Sequence, residues 1–271
     1  MAVKMLRQPT IFLPHGGGPC FFMDPPPDDP QRWVGMEAYL RSIPDALPQK
    51  PAALLVVSAH WEMPVPTVLS KANPGLLFDY NGFPPHTYRL TFPAPGAPEL
   101  GQRVRALLGE AGMQTDEDAQ RDYDHGVFVP LKVAFPEADV PILQLSLRQG
   151  LDPSTHIAIG AALRGLRDDN VLIIGSGLSF HNLGGLGDPR TAEPSRRFDD
   201  WLVDTLCGKT AAAREQALAA WSQAPGARIC HPREEHLLPL MVAAGAAGED
   251  AGTQAYSGQI WGKSVSAFHF G

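Results

Sequence analysis

The sequence predicts an α/β protein in which a mostly parallel central sheet is flanked by helices. Runs of consecutive apolar, often branched residues are typical of strands buried on both faces, and segments with a helical apolar period lie between them. This alternation favours a parallel sheet with helices on both sides. The 271 residues are 44% apolar, enough for a large core, and no Ser-rich or charge-rich linker divides them. We therefore predict one domain over residues 1–271, with the ligand site at the carboxyl ends of the strands.

Four segments are predicted strands. The first is short, and the other three are continuous apolar runs of the kind that a sheet covered on both faces requires. In chain order they are Thr10–Leu13, Ala53–Ser58, Pro141–Leu147 and Val171–Ser176.

Four further segments are predicted helices. In the first of them, Leu100, Val104 and Leu108 fall on one stripe, with a proline near the start and a glycine just past the end. Asp152 is a predicted N-cap for the second. The four helices are Pro98–Gly112, Pro153–Leu166, Arg196–Cys207 and Ala211–Trp221.

Glycine and proline, 27 of each, exceed their usual share and concentrate in two long loops, Pro14–Pro27 and Phe83–Pro98. Loops of this length in a compact domain are usually functional. Aromatic residues within them, such as Phe21 and Tyr88, indicate packing rather than disorder. We expect these loops to frame a binding site.

Composition also excludes several classes of protein. A net charge of −7 without a basic cluster argues against nucleic-acid and anionic-membrane partners. No apolar run approaches the roughly 18 residues of a spanning helix, and residues 1–9 lack the apolar core of a secretion signal. Three widely spaced cysteines do not form a disulfide framework. These features predict a cytoplasmic protein.

The nine histidines are distributed unevenly with respect to the predicted strands. His15, His60 and His181 each follow a strand, so their side chains are expected at one edge of the sheet. His125 lies in a polar loop, whereas His231 and His236 lie where a loop enters a helix. Several converging neutral imidazoles are what a zinc or iron ion needs.

Three of the nine histidines are not assigned to a metal site. A lone histidine at a strand end is more often a hydrogen-bonded or capping residue than a ligand, but several together favour a site. His86, His156 and His269 are assigned structural positions, in a loop, on a helix face and in a C-terminal strand. Ser176 lacks the Gly-x-Ser-x-Gly context of a nucleophile and is predicted to lie in a tight turn.

The chain resembles the class III extradiol ring-cleavage dioxygenases, specifically their 4,5-DOPA dioxygenase-like branch. Each matching segment is short, but together they follow one another through most of the chain. They are Pro14–Pro19, Ser58–Trp61, Asp79–Pro84, Pro93–Gly96, Asp124–Gly126, Gln144–Leu147, Gly175–Gly177, His181–Leu183, His231–Pro232 and Glu235–His236.

The resemblance implies one mononuclear metal, Fe(II) in the active enzyme and often Zn(II) in recovered protein. By matched position it makes His15, His60 and His236 metal ligands. It makes His181 either a fourth ligand or an acid–base residue, and His125 a histidine on the substrate side. The common Fe(II) triad of two histidines and one carboxylate is not matched, because His236 stands in the carboxylate position. Two neighbouring carboxylates, Glu62 and Glu235, therefore stay open as ligands.

The resemblance also implies the reaction, which is the opening of a catechol-type ring, DOPA-like or other, with O₂. In it, His181 or His125 would donate the proton that assists O–O cleavage. Two alternatives stay open: a zinc-dependent hydrolase, since the same imidazoles can acidify a bound water, and a metal-binding relative without catalytic activity. The sequence is compatible with a homo-oligomer.

Overall fold

Eight strands form one sheet in residues 6–271, the part of the chain that the computed structural model describes. The spatial order of the strands is β4-β3-β5-β2-β6-β1-β8-β7. In chain order their bounds are β1 Thr10–Pro14, β2 Ala53–Met63, β3 Thr67–Leu69, β4 Asp116–Asp118, β5 Ile142–Arg148, β6 Val171–Gly177, β7 Gly252–Ile260 and β8 Lys263–Phe270.

The four central strands, β5, β2, β6 and β1, are parallel, and their register sets the level of the residues that follow them. Ser176 of β6 lies opposite Leu13 of β1 on one side and opposite Ser58 of β2 on the other. His15 and His60, each two residues further on, are thereby brought to the same height at the carboxyl edge. On one side of the four, β3 pairs antiparallel with β5 and parallel with the edge strand β4. On the other side, β8 of the antiparallel β7–β8 hairpin pairs antiparallel with β1.

Helices cover both faces of the sheet, and strand residues alternate between the two cores. Leu54 and Val56 of β2 join the core beneath α1 and α3, whereas Leu55 and Val57 join the core beneath α2, α4, α5 and α8. The helix bounds are α1 Val34–Ala46, α2 Pro98–Glu110, α3 His125–Ala134, α4 Pro153–Leu163, α5 Ala192–Gly208, α6 Ala211–Ala219, α7 Ala227–Cys230 and α8 Leu238–Ala247.

This architecture confirms the predicted α/β class with a mostly parallel sheet, and all four predicted strands and four predicted helices are present. Two predictions about histidines were wrong in detail. His60 lies within β2 rather than after it, because β2 continues beyond a register shift against β5 between Val57 and Glu62. His125 is the first residue of α3 rather than part of a loop. The helix after His236 and the C-terminal strand of His269 are also present, as α8 and β8, whereas α1, α3, α7, β3, β4 and β7 were not predicted.

Close backbone packing of α8 on β6 positions the segment before that helix. A Cβ atom at Gly175 would contact the backbone of Pro239, and one at Gly177 would contact the carbonyl of His236. The same carbonyl accepts a hydrogen bond of 3.0 Å from the amide of Leu178. Glycine in β6 therefore allows the loop that carries His236 to lie directly on the sheet.

No helix within residues 6–271 is long and apolar enough to cross a membrane. Of the N-terminal residues considered above for a secretion signal, 1–5 lie outside the described part of the chain.

Candidate metal centre

Three histidines from different parts of the chain bring ring nitrogens together at the carboxyl edge of the sheet. His15 and His236 are almost fully buried, and His60 is partly buried. The Nε2 atoms of His15 and His60 are 3.3 Å apart, and one ring nitrogen from each of the three histidines lies within 4.8 Å of the others. The Nε2 atom of His236 is buried without a hydrogen-bond partner in residues 6–271. The Nδ1 atom of His15 is likewise buried without a partner there. Three imidazoles at this spacing, two of them with an orphaned nitrogen, match the donor set of a transition metal.

Glu235 contacts the rings of His236 and of its neighbour His181 on their Nδ1 sides. The Nδ1 atoms of His236 and His181 lie 2.9 and 3.1 Å from Oε1 of Glu235, and the two rings stack with centroids 3.3 Å apart. A carboxylate on Nδ1 fixes the tautomer that leaves Nε2 free as a ligand. Glu235 therefore orients imidazoles, and His181 groups with His236 and Glu235 rather than with His15 and His60.

A second carboxylate, Asp79, pairs with His125 on the other side of the cluster. Its Oδ1 lies 2.6 Å from Nδ1 of His125 and 3.1 Å from the amide nitrogen of the same residue, while Oδ2 lies 3.8 Å from Nδ1 of His60. The rings of His125 and His60 are 3.9 Å apart between centroids. Since Asp79 occupies Nδ1 of His125, Nε2 is the nitrogen of His125 that is free for proton transfer.

Burial keeps the cluster neutral, as a metal ligand set must be. Burial, together with repulsion from neighbouring imidazoles, lowers the pKa of His15 well below its usual value and that of His60 to about 4. Burial likewise lowers the pKa of His236, although Glu235 opposes the change. Burial opposes ionisation of Glu235, but hydrogen bonds from His181 and His236 outweigh it and hold its pKa far below the usual range. Neutral imidazoles beside ionised carboxylates favour a cation between the rings.

A buried carboxylate supports this cluster from beneath. Asp124, the residue before α3, accepts hydrogen bonds from Ser58 at 2.7 Å, from Arg121 at 3.0 Å and from Gln144. Arg121 also donates to the carbonyl of His60 at 3.2 Å. The network ties three chain segments together under the histidines and fixes their relative positions.

The structure places the other candidate residues away from the cluster centre. Both oxygens of Glu62 accept hydrogen bonds of 2.6 Å from the exposed Arg233, so this carboxylate faces outward. His231 is buried, with Nε2 2.9 Å from the carbonyl of Ser179. His156 joins the start of α4 to β5, because its Nδ1 lies 2.7 Å from the carbonyl of Asp152 and its Nε2 accepts from the amide of Arg148 at 3.1 Å. Sequence reasoning gave Asp79 no role. Its segment was matched only through the resemblance, and no local pattern links it to His125, which is 46 residues away.

The cluster forms one end of a cavity of about 660 Å³. Cavities of this size accommodate a drug-sized organic molecule. Aromatic and aliphatic side chains line most of it, including Tyr80, Phe83, Phe180, Leu183 and Trp261, and the predicted loop Pro14–Pro27 supplies part of the wall. The arrangement can therefore bring a largely apolar molecule to the histidine cluster.

Comparison with known proteins gives one family over nearly the whole chain. The model of the catalytic LigB subunit of aromatic ring-opening dioxygenase matches residues 9–268, a range that includes every histidine of the cluster.

Individual relatives cover similar lengths. Dioxygenase tasH of Hapsidospora irregularis is 34% identical over 100% of this chain and 87% of that protein. The 4,5-DOPA dioxygenase extradiol of Beta vulgaris is 38% identical over 89% of this chain and 88% of that protein. A crystal structure of an uncharacterized protein from Escherichia coli K12 aligns with a TM-score of 0.75 at 27% identity, covering 98% of this chain and 100% of that one.

Proposed function

This chain belongs to the family of the catalytic LigB subunit of aromatic ring-opening dioxygenases, and from that membership we propose that it is an extradiol dioxygenase acting on a catechol-type substrate. Residues 1–271 would then act as one catalytic domain. The relative of Beta vulgaris named 4,5-DOPA dioxygenase extradiol supports the extradiol reaction, and O₂ is the second substrate of a dioxygenase. The observation that carries the proposal is the junction of a neutral three-histidine cluster with an aromatic-lined cavity.

His15, His60 and His236 are the proposed metal ligands. Their nitrogens lie within 4.8 Å of one another, and the orphaned Nε2 of His236 is accounted for if it binds a cation. Fe(II) is the metal proposed for activity, and Zn(II), which binds imidazoles at least as well, is expected to compete for the same ligands. The chemistry that Fe(II) would supply is Lewis acidity toward the diol and one-electron exchange with O₂.

The chain's own groups would handle the protons. We assign to Nε2 of His125 the uptake of a proton from a substrate hydroxyl, with Asp79 stabilising the resulting imidazolium through Nδ1. His181 lines the same cavity, and Glu235 orients its ring in the same manner. It is the second acid–base residue of the proposal. The aromatic wall excludes water from the reacting groups.

Oxygen uptake tests this function directly. Protein loaded anaerobically with Fe(II) should consume O₂ on addition of a catechol and form a yellow ring-opened product. The Zn(II)-loaded protein is the matched control and should consume none. Absence of uptake with every catechol, together with zinc-dependent ester or amide hydrolysis, would overturn the proposal in favour of a hydrolase.

A further inference from the structure

The cavity wall at its exposed mouth differs in character from the histidine cluster, and we infer that it receives a bulky, apolar, ring-sized substituent of the substrate. This inference rests on the proposed function, because it names the substrate class of the same cavity. A single catechol ring fills only a small part of about 660 Å³. The remaining volume must be explained by something other than the diol.

Two tryptophans form the wall of this mouth region, which we define by Trp33, Trp261 and Arg32. The indole rings of Trp33 and Trp261 meet edge to face, with centroids 5.8 Å apart and planes at 87°. Trp33 also approaches the loop next to His15, since a Cβ atom at Gly17 would lie 3.4 Å from its ring. An aromatic surface thus extends from the metal end of the cavity to its mouth. Such surfaces bind aromatic and apolar groups by stacking and burial.

Trp261 occupies a backbone position that normally excludes large side chains. It is the first residue of the two-residue turn between β7 and β8, with φ of 50°, and Gly262 follows with φ of 71°. Turns with two positive φ values strongly favour Asn-Gly. A tryptophan there costs conformational energy, and its side chain is still 40% exposed. Strain retained at an exposed residue that lines a cavity points to a role in binding.

The charged side chains around the mouth do not favour binding of a substrate with a small zwitterionic substituent, such as the amino-acid side chain of DOPA. The Arg32 guanidinium lies 4.2 Å from the ring centroid of Trp261 and is paired with Asp28, so it supports the indole and its charge is balanced. Asp24 is exposed at the rim, where solvent screens its carboxylate. No other Asp, Glu, Lys or Arg of the described residues lines the cavity. An amino-acid side chain on the catechol would therefore meet aromatic faces instead of complementary charges.

The test compares 3,4-dihydroxybiphenyl with catechol and L-DOPA, in wild type and in Trp261→Asn. Asparagine suits the positive φ, so this variant should fold with unchanged or higher Tm. Wild type should show kcat/KM for the biphenyl at least about tenfold above that for L-DOPA. Trp261→Asn should lower the ratio of biphenyl to catechol kcat/KM by about tenfold. Ala138→Gly is the matched control, because it relieves another positive φ, of 52°, outside the cavity and should not change that ratio.

Calorimetric binding of the same diols to the metal-loaded protein gives a readout that needs no turnover. Wild type should bind the biphenyl more tightly than L-DOPA, and Trp261→Asn should lose this difference. That result would support the inference even if no diol were oxidised, and only the proposed reaction would then fail. Turnover of L-DOPA equal to or above that of the biphenyl would overturn the inference and leave the dioxygenase function intact. A lower Tm in Trp261→Asn, with all diols affected equally, would also overturn it, since Trp261 would then be structural.

Discussion

The two ends of the cavity are built in opposite ways. At the histidine end, His15 and His236 are buried, and the carboxylate of Glu235 fixes the orientation of the His236 ring. At the mouth, Trp261 is partly exposed, strained in its backbone and held by aromatic and cation–π contacts. In the proposed function, buried residues at the carboxyl edge of the parallel strands would carry the chemistry, whereas a turn at the sheet margin would select the substrate.

The largest effect expected from a single substitution is at the histidine end. Alanine at His15 or His60 should abolish metal binding and lower oxygen uptake by on the order of a thousandfold or more for every catechol, because a metal contributes several kcal/mol to such a reaction. Metal content and uptake should be measured on the same samples. Full metal occupancy in His15→Ala would contradict the ligand assignment. A loss of oxygen uptake limited to biphenyl substrates would show that the histidine end also selects the substrate, and would contradict the difference between the two ends.

A smaller effect is expected for His181→Ala. Its ring stacks on His236 without joining the group of His15 and His60, so the metal should be retained while kcat falls by about a hundredfold, as for loss of an acid–base group. Elemental analysis and steady-state kinetics separate the two roles. Loss of the metal in this variant would make His181 a ligand and extend the histidine end of the cavity.

The smallest expected effect is on the pH dependence of stability, through His269 in the hairpin that carries Trp261. Burial lowers the pKa of His269 from 6.5 to about 4, and its Nε2 lies 2.8 Å from the hydroxyl of Tyr39. The folded state therefore favours the neutral ring. This contribution to stability is fully present above about pH 6.5 and declines as the pH falls toward 4.

For the wild type we expect His269 to account for a loss of about 1–2 kcal/mol in the free energy of unfolding between pH 7 and pH 5. Urea unfolding of His269→Phe should show a shallower dependence over that range. Tyr39→Phe is the control, since it removes the hydrogen bond and keeps the imidazole, so the pH dependence should stay. An unchanged slope in His269→Phe would contradict the assignment.

The central fold could be predicted because continuous apolar strands and periodic helices leave local patterns. Helix α1 also carries such a pattern, at Met36, Tyr39, Leu40 and Ile43, and could have been found. For α8 only the entry into a helix after His236 could be inferred, because the helix is buried on all sides and its ten residues lack an amphipathic period. In α3, an internal proline and the His125-Gly126 start concealed the helix.

The site was predictable in part for the same reason. His15, His60 and His181 could be assigned to one edge because parallel strands end together. The pairing of Asp79 with His125 and the placement of Glu235 behind two rings depend on contacts between distant or differently oriented segments, which have no local signature. The turn at Trp261 contradicts the usual residue preference and could only be seen in the structure.

The position of β7 at the margin of the sheet has a consequence for how the protein can be altered. Strand β7 pairs only with β8 among the described strands, and a two-residue turn joins them. Lengthening or replacing that turn would change no strand pairing among β5, β2, β6 and β1. If Trp261 selects the substrate as inferred, the hairpin tip is therefore a place where laboratory evolution can change substrate range without disturbing the central sheet.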